Sequence, residues 1–121
     1  MTDAASDSLE QLRLKLADFA RRRDWEQFHS PKNLAMALIA EAAELVEHFQ
    51  WLSDKESREL EADRLAAVRL ELADILIYLV RTADRLGVDL IAAAEEKIAI
   101  NERRYPVEKV RGKAGRAIEY E

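Results

Sequence analysis

Cysteine is absent from the 121 residues, and glycine (three) and proline (two) are scarce. Without thiols the chain has no disulfide, no thiolate nucleophile and no zinc site built on cysteine. With so few helix breakers it has little means of turning the tight corners of a sheet. Ala, Leu, Glu and Arg dominate instead, and these residues lose little rotamer freedom in a helix. No apolar run approaches the roughly 20 residues of a membrane span. The short polar segment Met1 to Ser8 lacks the apolar core of a signal peptide. These absences lead us to expect a cytoplasmic protein without a membrane partner.

The net charge of −5 argues against a general nucleic-acid binder, which needs clustered cations. The charge is uneven, however. Arg103, Arg104, Lys109, Arg111, Lys113 and Arg116 make the C-terminal segment basic, suited either to an anionic ligand or to plain solvation. Hydrophobic residues at 49% and charged residues at 36% are the composition of a globular chain, not a disordered one. The length predicts one domain over residues 1–121, with residues 1–7 and about 108–121 as flexible tails.

Four long helices are legible. Ser8 to Gln11 has capping-box form and predicts a first helix running to about Arg23. Ser30 before Pro31 predicts a second, from an N-cap with proline at its first position to about Trp51. Ser53 to Glu56 is another capping box, opening a third region that Gly87 ends. Asp89 can cap a fourth helix, which Pro106 stops. Short connections between long helices predict an all-α, four-helix bundle. The third helix is apolar almost all round between Leu65 and Val80, and a chain this small cannot easily enclose it. The bundle is therefore expected to be completed by oligomerisation. Phe19, Phe28 and Phe49 are expected in the core.

Carboxylates interrupt the apolar faces. On the second helix the row between Leu38 and Leu45 passes through Glu41, with Glu44 and His48 within about 60° of it on the helix surface. On the third, Glu71, Asp74 and Tyr78 repeat those offsets. Lone carboxylates are costly to bury, and the third helix offers no lysine on that face to pair with them. An all-oxygen, acid-rich set suits Mg²⁺, Mn²⁺ or Ca²⁺, and the Glu-x-x-His pairs of di-iron bundles are missing. Mg²⁺ commonly takes its remaining ligands from phosphates, which turns the reading towards phosphate chemistry. The competing explanation is an interhelical or intersubunit charge network.

With these residues the chain resembles the MazG-like, all-α nucleoside triphosphate pyrophosphatase superfamily. The family motif, Glu-x-x-Glu followed by Glu-x-x-Asp, stands here as Glu41-Ala-Ala-Glu44 and Glu71-Leu-Ala-Asp74. The segments Asp24 to His29, Phe49 to Trp51, Asp74 to Leu79 and Asn101 to Pro106 resemble its dCTP pyrophosphatase branch. The resemblance covers most of residues 9 to 106.

It implies that Glu41, Glu44, Glu71 and Asp74 hold Mg²⁺, with Mn²⁺ as a substitute. Water then attacks the α-phosphorus of a bound triphosphate and expels pyrophosphate, with Glu41 orienting or deprotonating that water. It further implies that Lys97, Asn101, Arg104 and Tyr105 meet the phosphates or sugar, and that Trp25 and Trp51 stack on the base. Tyr78 would lie beside the metal face, with His29 and Asn33 as further polar contacts. For Trp25, Trp51 and Tyr78 a packing role is the alternative, and for Lys97, Asn101 and Arg104 solvation or structure. Leu16 departs from the histidine of some dCTP-directed relatives, which loosens the base preference.

The function expected is hydrolysis of dCTP or modified pyrimidine deoxynucleotides to monophosphate and pyrophosphate by a homotetramer, a dimer of dimers, that clears the nucleotide pool. The alternatives are a broad-specificity pyrophosphohydrolase and a non-catalytic helical oligomerisation module.

Overall fold

The computed structural model describes residues 4–121. Its regular structure is wholly helical: α1 (Ala4–Arg22), α2 (Pro31–Glu47), α3 (Asp54–Arg58), α4 (Ala62–Leu86), α5 (Leu90–Arg104) and α6 (Val107–Val110). Single 3₁₀ turns occupy Glu26–Phe28 and Ala117–Tyr120. The four long helices lie where the residue pattern predicts them. No helix among the described residues is long and apolar enough to cross a membrane.

Local chemistry explains most of the boundaries. Ser30 Oγ accepts from the Asn33 amide at 3.1 Å, and Pro31 supplies the fixed φ of the first turn of α2. At α3 both halves of the capping box form: Glu56 N–H donates to Ser53 Oγ at 3.1 Å, and Ser53 N–H to Glu56 Oε1 at 2.9 Å. Asp89 Oδ1 accepts from Ala92 N–H at 3.0 Å to start α5. Gly87 closes α4 in the left-handed region at φ 69°, where the Val88 amide reaches back to the Ala83 carbonyl.

Three boundaries differ from expectation. The capping-box pattern at Ser8 lies inside α1, because the preceding Ala4-Ala5 favours helix and carries the turn back to Ala4. Residues 1–3 of the expected N-terminal tail lie outside the described residues. α2 ends at Glu47, and the chain from His48 to Leu52 runs on in tight turns, with His48 N–H to Leu45 O at 3.2 Å and Phe49 N–H to Val46 O at 2.9 Å. The third region is split, since Glu59-Leu60-Glu61 separates α3 from α4.

The chain divides into two compact units, Met1–Val88 and Asp89–Glu121. In the first, α4 is the central element, packed mainly on α2 and also on α1. Leu34 of α2, Ala20 of α1 and Val68, Val80 and Ala83 of α4 are buried. Another face of α4 is open. Leu65, Leu72, Leu76, Leu79 and Leu86 recur at helical spacing and remain 40% to 58% exposed. Phe19 and Phe28, expected in the core, are also exposed, Phe19 in the last turns of α1 and Phe28 in the 3₁₀ turn of the α1–α2 connection. In the second unit Tyr105 and Tyr120 meet edge to face, with ring centroids 6.2 Å apart.

Gly87 offers a test of the α4 stop. A Cβ there meets no atom within 4 Å, so only the backbone conformation opposes a side chain. Gly87→Ala should cost about 1 kcal/mol in urea unfolding with an unchanged m-value, and Gly87→Asn less; an alanine variant as stable as the parent would remove the left-handed cap from the account.

Candidate active site

The Ser30 cap fixes where α2 begins, and Leu34 anchors its first turns in the core. Three turns along, this register carries Glu41 to the side facing α4. Glu41, Glu44 and Glu71 each present a carboxylate oxygen, and the three oxygens lie within 4.8 Å of one another. Glu41 and Glu71 are half-buried and Glu44 is exposed. Oε2 of Glu41 and Oε2 of Glu71 are both buried without a hydrogen-bond partner.

Burial and mutual repulsion shape the protonation of this trio. Desolvation, then the neighbouring Glu44, then Asp74 push the Glu41 carboxyl up to about 7. Glu71 is raised as well, by desolvation first and by Glu44 next. Among the described residues no lysine or arginine forms an ion pair with Glu41, Glu44, Glu71 or Asp74. Only His48 comes near, its Nε2 3.9 Å from Glu71 Oε1. An interhelical charge network would need cations here, and among the described residues no lysine or arginine supplies one. A divalent ion fits better. The donors are all oxygen, two of them are buried and unspent, and their spacing allows joint coordination.

Asp74 sits one turn beyond Glu71 and joins this acidic face to a cavity of about 140 Å³. The cavity is lined by Leu16, Phe19, Ala20, Trp25, His29, Asp74, Ile77, Tyr78 and Arg81. Thus Trp25, His29, Tyr78 and Asp74, four of the residues singled out from the sequence, share one pocket. Trp25 follows Asp24, whose backbone takes a positive φ of 55°, and this sharp turn aims the indole back over α1. There it meets Phe19 edge to face at 5.8 Å. His29 is held below the ordinary histidine range by desolvation and by Arg81 and Arg85. It is thus neutral at pH 7, and its Nδ1 accepts from Arg81 Nε at 3.4 Å.

Other expected contacts are placed elsewhere. The Asn33 side-chain amide donates to the Phe28 carbonyl at 3.0 Å and steadies the turn below Trp25. Trp51 is 86% exposed in the α2–α3 connection and is not part of the cavity wall. In the second unit Lys97, Asn101 and Arg104 fall on one face of α5 at spacings of four and three. Arg104 lies 5.8 Å from the ring of Tyr105.

Sequence reasoning missed Arg81. It is only 3% exposed, and its Nη1 donates to Asp84 Oδ2 at 3.0 Å. Asp84 Oδ1 also accepts from Arg13 Nη1 at 2.9 Å, so one carboxylate serves two guanidiniums. A signal was present: Arg81 stands seven residues after Asp74 and three after Tyr78, on the same row of α4.

The acidic face predicts a pH dependence. Folded Glu41 holds its proton up to about 7, whereas the unfolded carboxyl releases it near 4.5. The metal-free protein should therefore lose thermal stability as pH rises from about 5 to 8, as protons leave the native state. A saturating divalent cation should flatten or reverse that loss. Melting curves indifferent to both pH and metal over this range would contradict the site.

Comparison with known proteins shows the family. The family model described as MazG-like family matches residues 37–116. The dCTP pyrophosphatase 1 of Rattus norvegicus is 49% identical over 109 residues, covering 88% of this chain and 64% of that protein. The dCTP pyrophosphatase 1 of Homo sapiens is 46% identical over 114 residues, covering 93% and 67%. The chain thus spans about two-thirds of the length of these curated relatives. A pyrophosphatase from Archaeoglobus fulgidus, known from its crystal structure, superposes with a TM-score of 0.78 at 41% identity, covering 82% of this chain and 93% of that one.

Proposed function

Because the chain belongs to the MazG-like family, we propose that it is a Mg²⁺-dependent nucleoside triphosphate pyrophosphohydrolase that converts dCTP or modified pyrimidine deoxynucleotides to monophosphate and pyrophosphate. The observation that carries this reading is the pair of buried, unpartnered oxygens on Glu41 and Glu71, next to an aromatic pocket. Unpaired carboxylates at that position are an electrostatic cost that a bound cation removes.

Glu41, Glu44, Glu71 and Asp74 would hold the ion. When bound, Mg²⁺ supplies charge neutralisation for the triphosphate and polarisation at the α-phosphoryl group. The protein's own residues do the rest. Water attacks the α-phosphorus, the bond from phosphorus to the bridging oxygen breaks, and pyrophosphate leaves with that oxygen. Glu41 orients the water and accepts its proton. Trp25, Tyr78 and His29 line the pocket that takes the base. Lys97, Asn101, Arg104 and Tyr105 offer the donors that phosphates and sugar need. Trp51 and Asn33 stand as further contacts of the bound nucleotide.

We place the reaction in the cytoplasm, as part of nucleotide-pool cleaning, and in a homotetramer. The open leucine row on α4 supports assembly, since burying each leucine is worth about 1.5–3 kcal/mol.

The test is pyrophosphate release from a panel of triphosphates, dCTP and 5-methyl-dCTP included, with and without Mg²⁺. Glu41→Gln and Asp74→Asn should each lose about 10²- to 10⁴-fold in kcat while melting cooperatively like the parent. Full activity in either variant would remove that residue from the mechanism. Equal turnover of purine and pyrimidine substrates would favour a broad-range enzyme, and no turnover by folded protein would end the reading.

A further inference from the structure

We propose that Arg81 reads the base: its free Nη2 donates to the N3 acceptor of cytosine, and so selects cytosine over uracil and thymine. This rests on the pyrophosphohydrolase reading above and names the specificity-determining residue of the same site.

Four observations converge. First, Arg81 lines the pocket, is 3% exposed, and its Nη2 is buried with no hydrogen-bond partner. A guanidinium N–H without an acceptor in such surroundings is costly, and native proteins rarely leave one so. Second, the rest of the guanidinium is committed. Nε faces His29 Nδ1 and Nη1 faces Asp84, which fixes its plane and leaves Nη2 as the group available to a ligand. Third, Asp84 is shared with Arg13, which Glu10 also pairs, so each guanidinium has a carboxylate partner and Nη2 of Arg81 is left as a hydrogen-bond donor without an acceptor of its own. An incoming acceptor is favoured and an incoming donor is not. Fourth, the cavity of about 140 Å³ matches one six-membered ring. A cavity of about 150 Å³ takes a single benzene, and a purine carries a second ring.

Among single-ring bases the choice is then chemical. The one uncommitted nitrogen of the guanidinium needs an acceptor, and a ring nitrogen with a lone pair supplies it. Cytosine presents such an acceptor at N3. Uracil and thymine carry a hydrogen on N3, which would point donor against donor. Leu16, Phe19 and Ile77 form apolar parts of the wall, so the charged donor decides. Asp74, His29 and Tyr78 are the other ionisable groups there. Asp74 belongs to the acidic face, and His29 Nδ1 is occupied by Arg81 itself.

The experiment is calorimetric titration of the full-length protein with dCMP, dUMP and 3-deaza-dCMP, in which N3 is replaced by C–H. The parent should bind dCMP about ten- to a hundredfold more tightly than either of the others, the worth of a hydrogen bond from a charged donor. Arg81→Lys should bring the dCMP-to-dUMP ratio close to one. A merely structural role would weaken both ligands alike and leave that ratio unchanged, which would overturn the assignment. Should Arg81→Lys fail to fold, the 3-deaza comparison on the parent decides, and equal affinity for dCMP and 3-deaza-dCMP overturns it. Binding of none of the three does so too. These titrations need no turnover. A protein that discriminates dCMP from dUMP but releases no pyrophosphate would sink the enzymatic reading and keep the base reading, and the reverse result would do the opposite.

Discussion

Carboxylates held a few ångströms apart in a half-dry cleft repel one another, and the first unit is built around tolerating that repulsion. Glu41 and Glu44 come from α2 and Glu71 from α4, so the contact between these two helices is also where like charges meet. Nothing in the cluster neutralises them, and burial, together with that repulsion, raises the proton affinity of Glu41. The helices must be fixed independently of the site. The Ser30 cap, the proline that follows it, buried Leu34 and the glycine stop at Gly87 do this from outside the acidic face. The stability lost in the cleft is offset by elements that take no part in the chemistry, an arrangement common at functional sites.

The same helix that carries the acids also carries their opposite. Glu71, Asp74, Tyr78 and Arg81 stand at spacings of three, four and three, which is a single row on α4. At 1.5 Å per residue this row covers about 15 Å. Its sign changes along the way, from carboxylates at one end to a guanidinium at the other, with an aromatic ring between. In the proposed function a nucleotide matches that order, its phosphates drawn through a cation to the acidic end and a ring bearing acceptors at the other. One rigid helix therefore sets the distance between the two recognition events, which is more exact than placing them on separate loops.

Much of this was legible in the residues, for physical reasons that also explain the misses. Ser30, Ser53, Gly87 and Asp89 announced their helix ends because capping is a local interaction between neighbours in sequence. Ser8 misled because a capping pattern has no force where the preceding residues can extend the helix. Glu41, Glu44, Glu71 and Asp74 stood out because acids within apolar rows contradict the packing around them. Arg81 did not stand out. An arginine near the end of a helix looks like an ordinary surface cation, and only the fold reveals that Asp84 and Arg13 draw it inward. Phe19 and Phe28 were taken for core because aromatic character is local, whereas burial depends on what the rest of the chain places opposite.

The two ends of the α4 row share one cause. Scarcity of water raises the proton affinity of Glu41, and scarcity of water makes the Arg81 N–H valuable. In bulk solvent an unmatched donor would turn to water, and a uracil ring would lose little by meeting it. In the pocket there is no such exchange, so a ring with a hydrogen on N3 leaves the guanidinium unsatisfied and bears the full penalty. Sites that hydrogen-bond a substrate discriminate by punishing the analogue that lacks the partner, far more than by attracting the right one. On the proposed reading Leu16, Phe19 and Ile77 contribute to selectivity in this sense through their apolar surface. By keeping the wall apolar they raise the cost of a mismatch at Arg81, just as the α2–α4 contact raises the cost of leaving Glu41 and Glu71 without a cation.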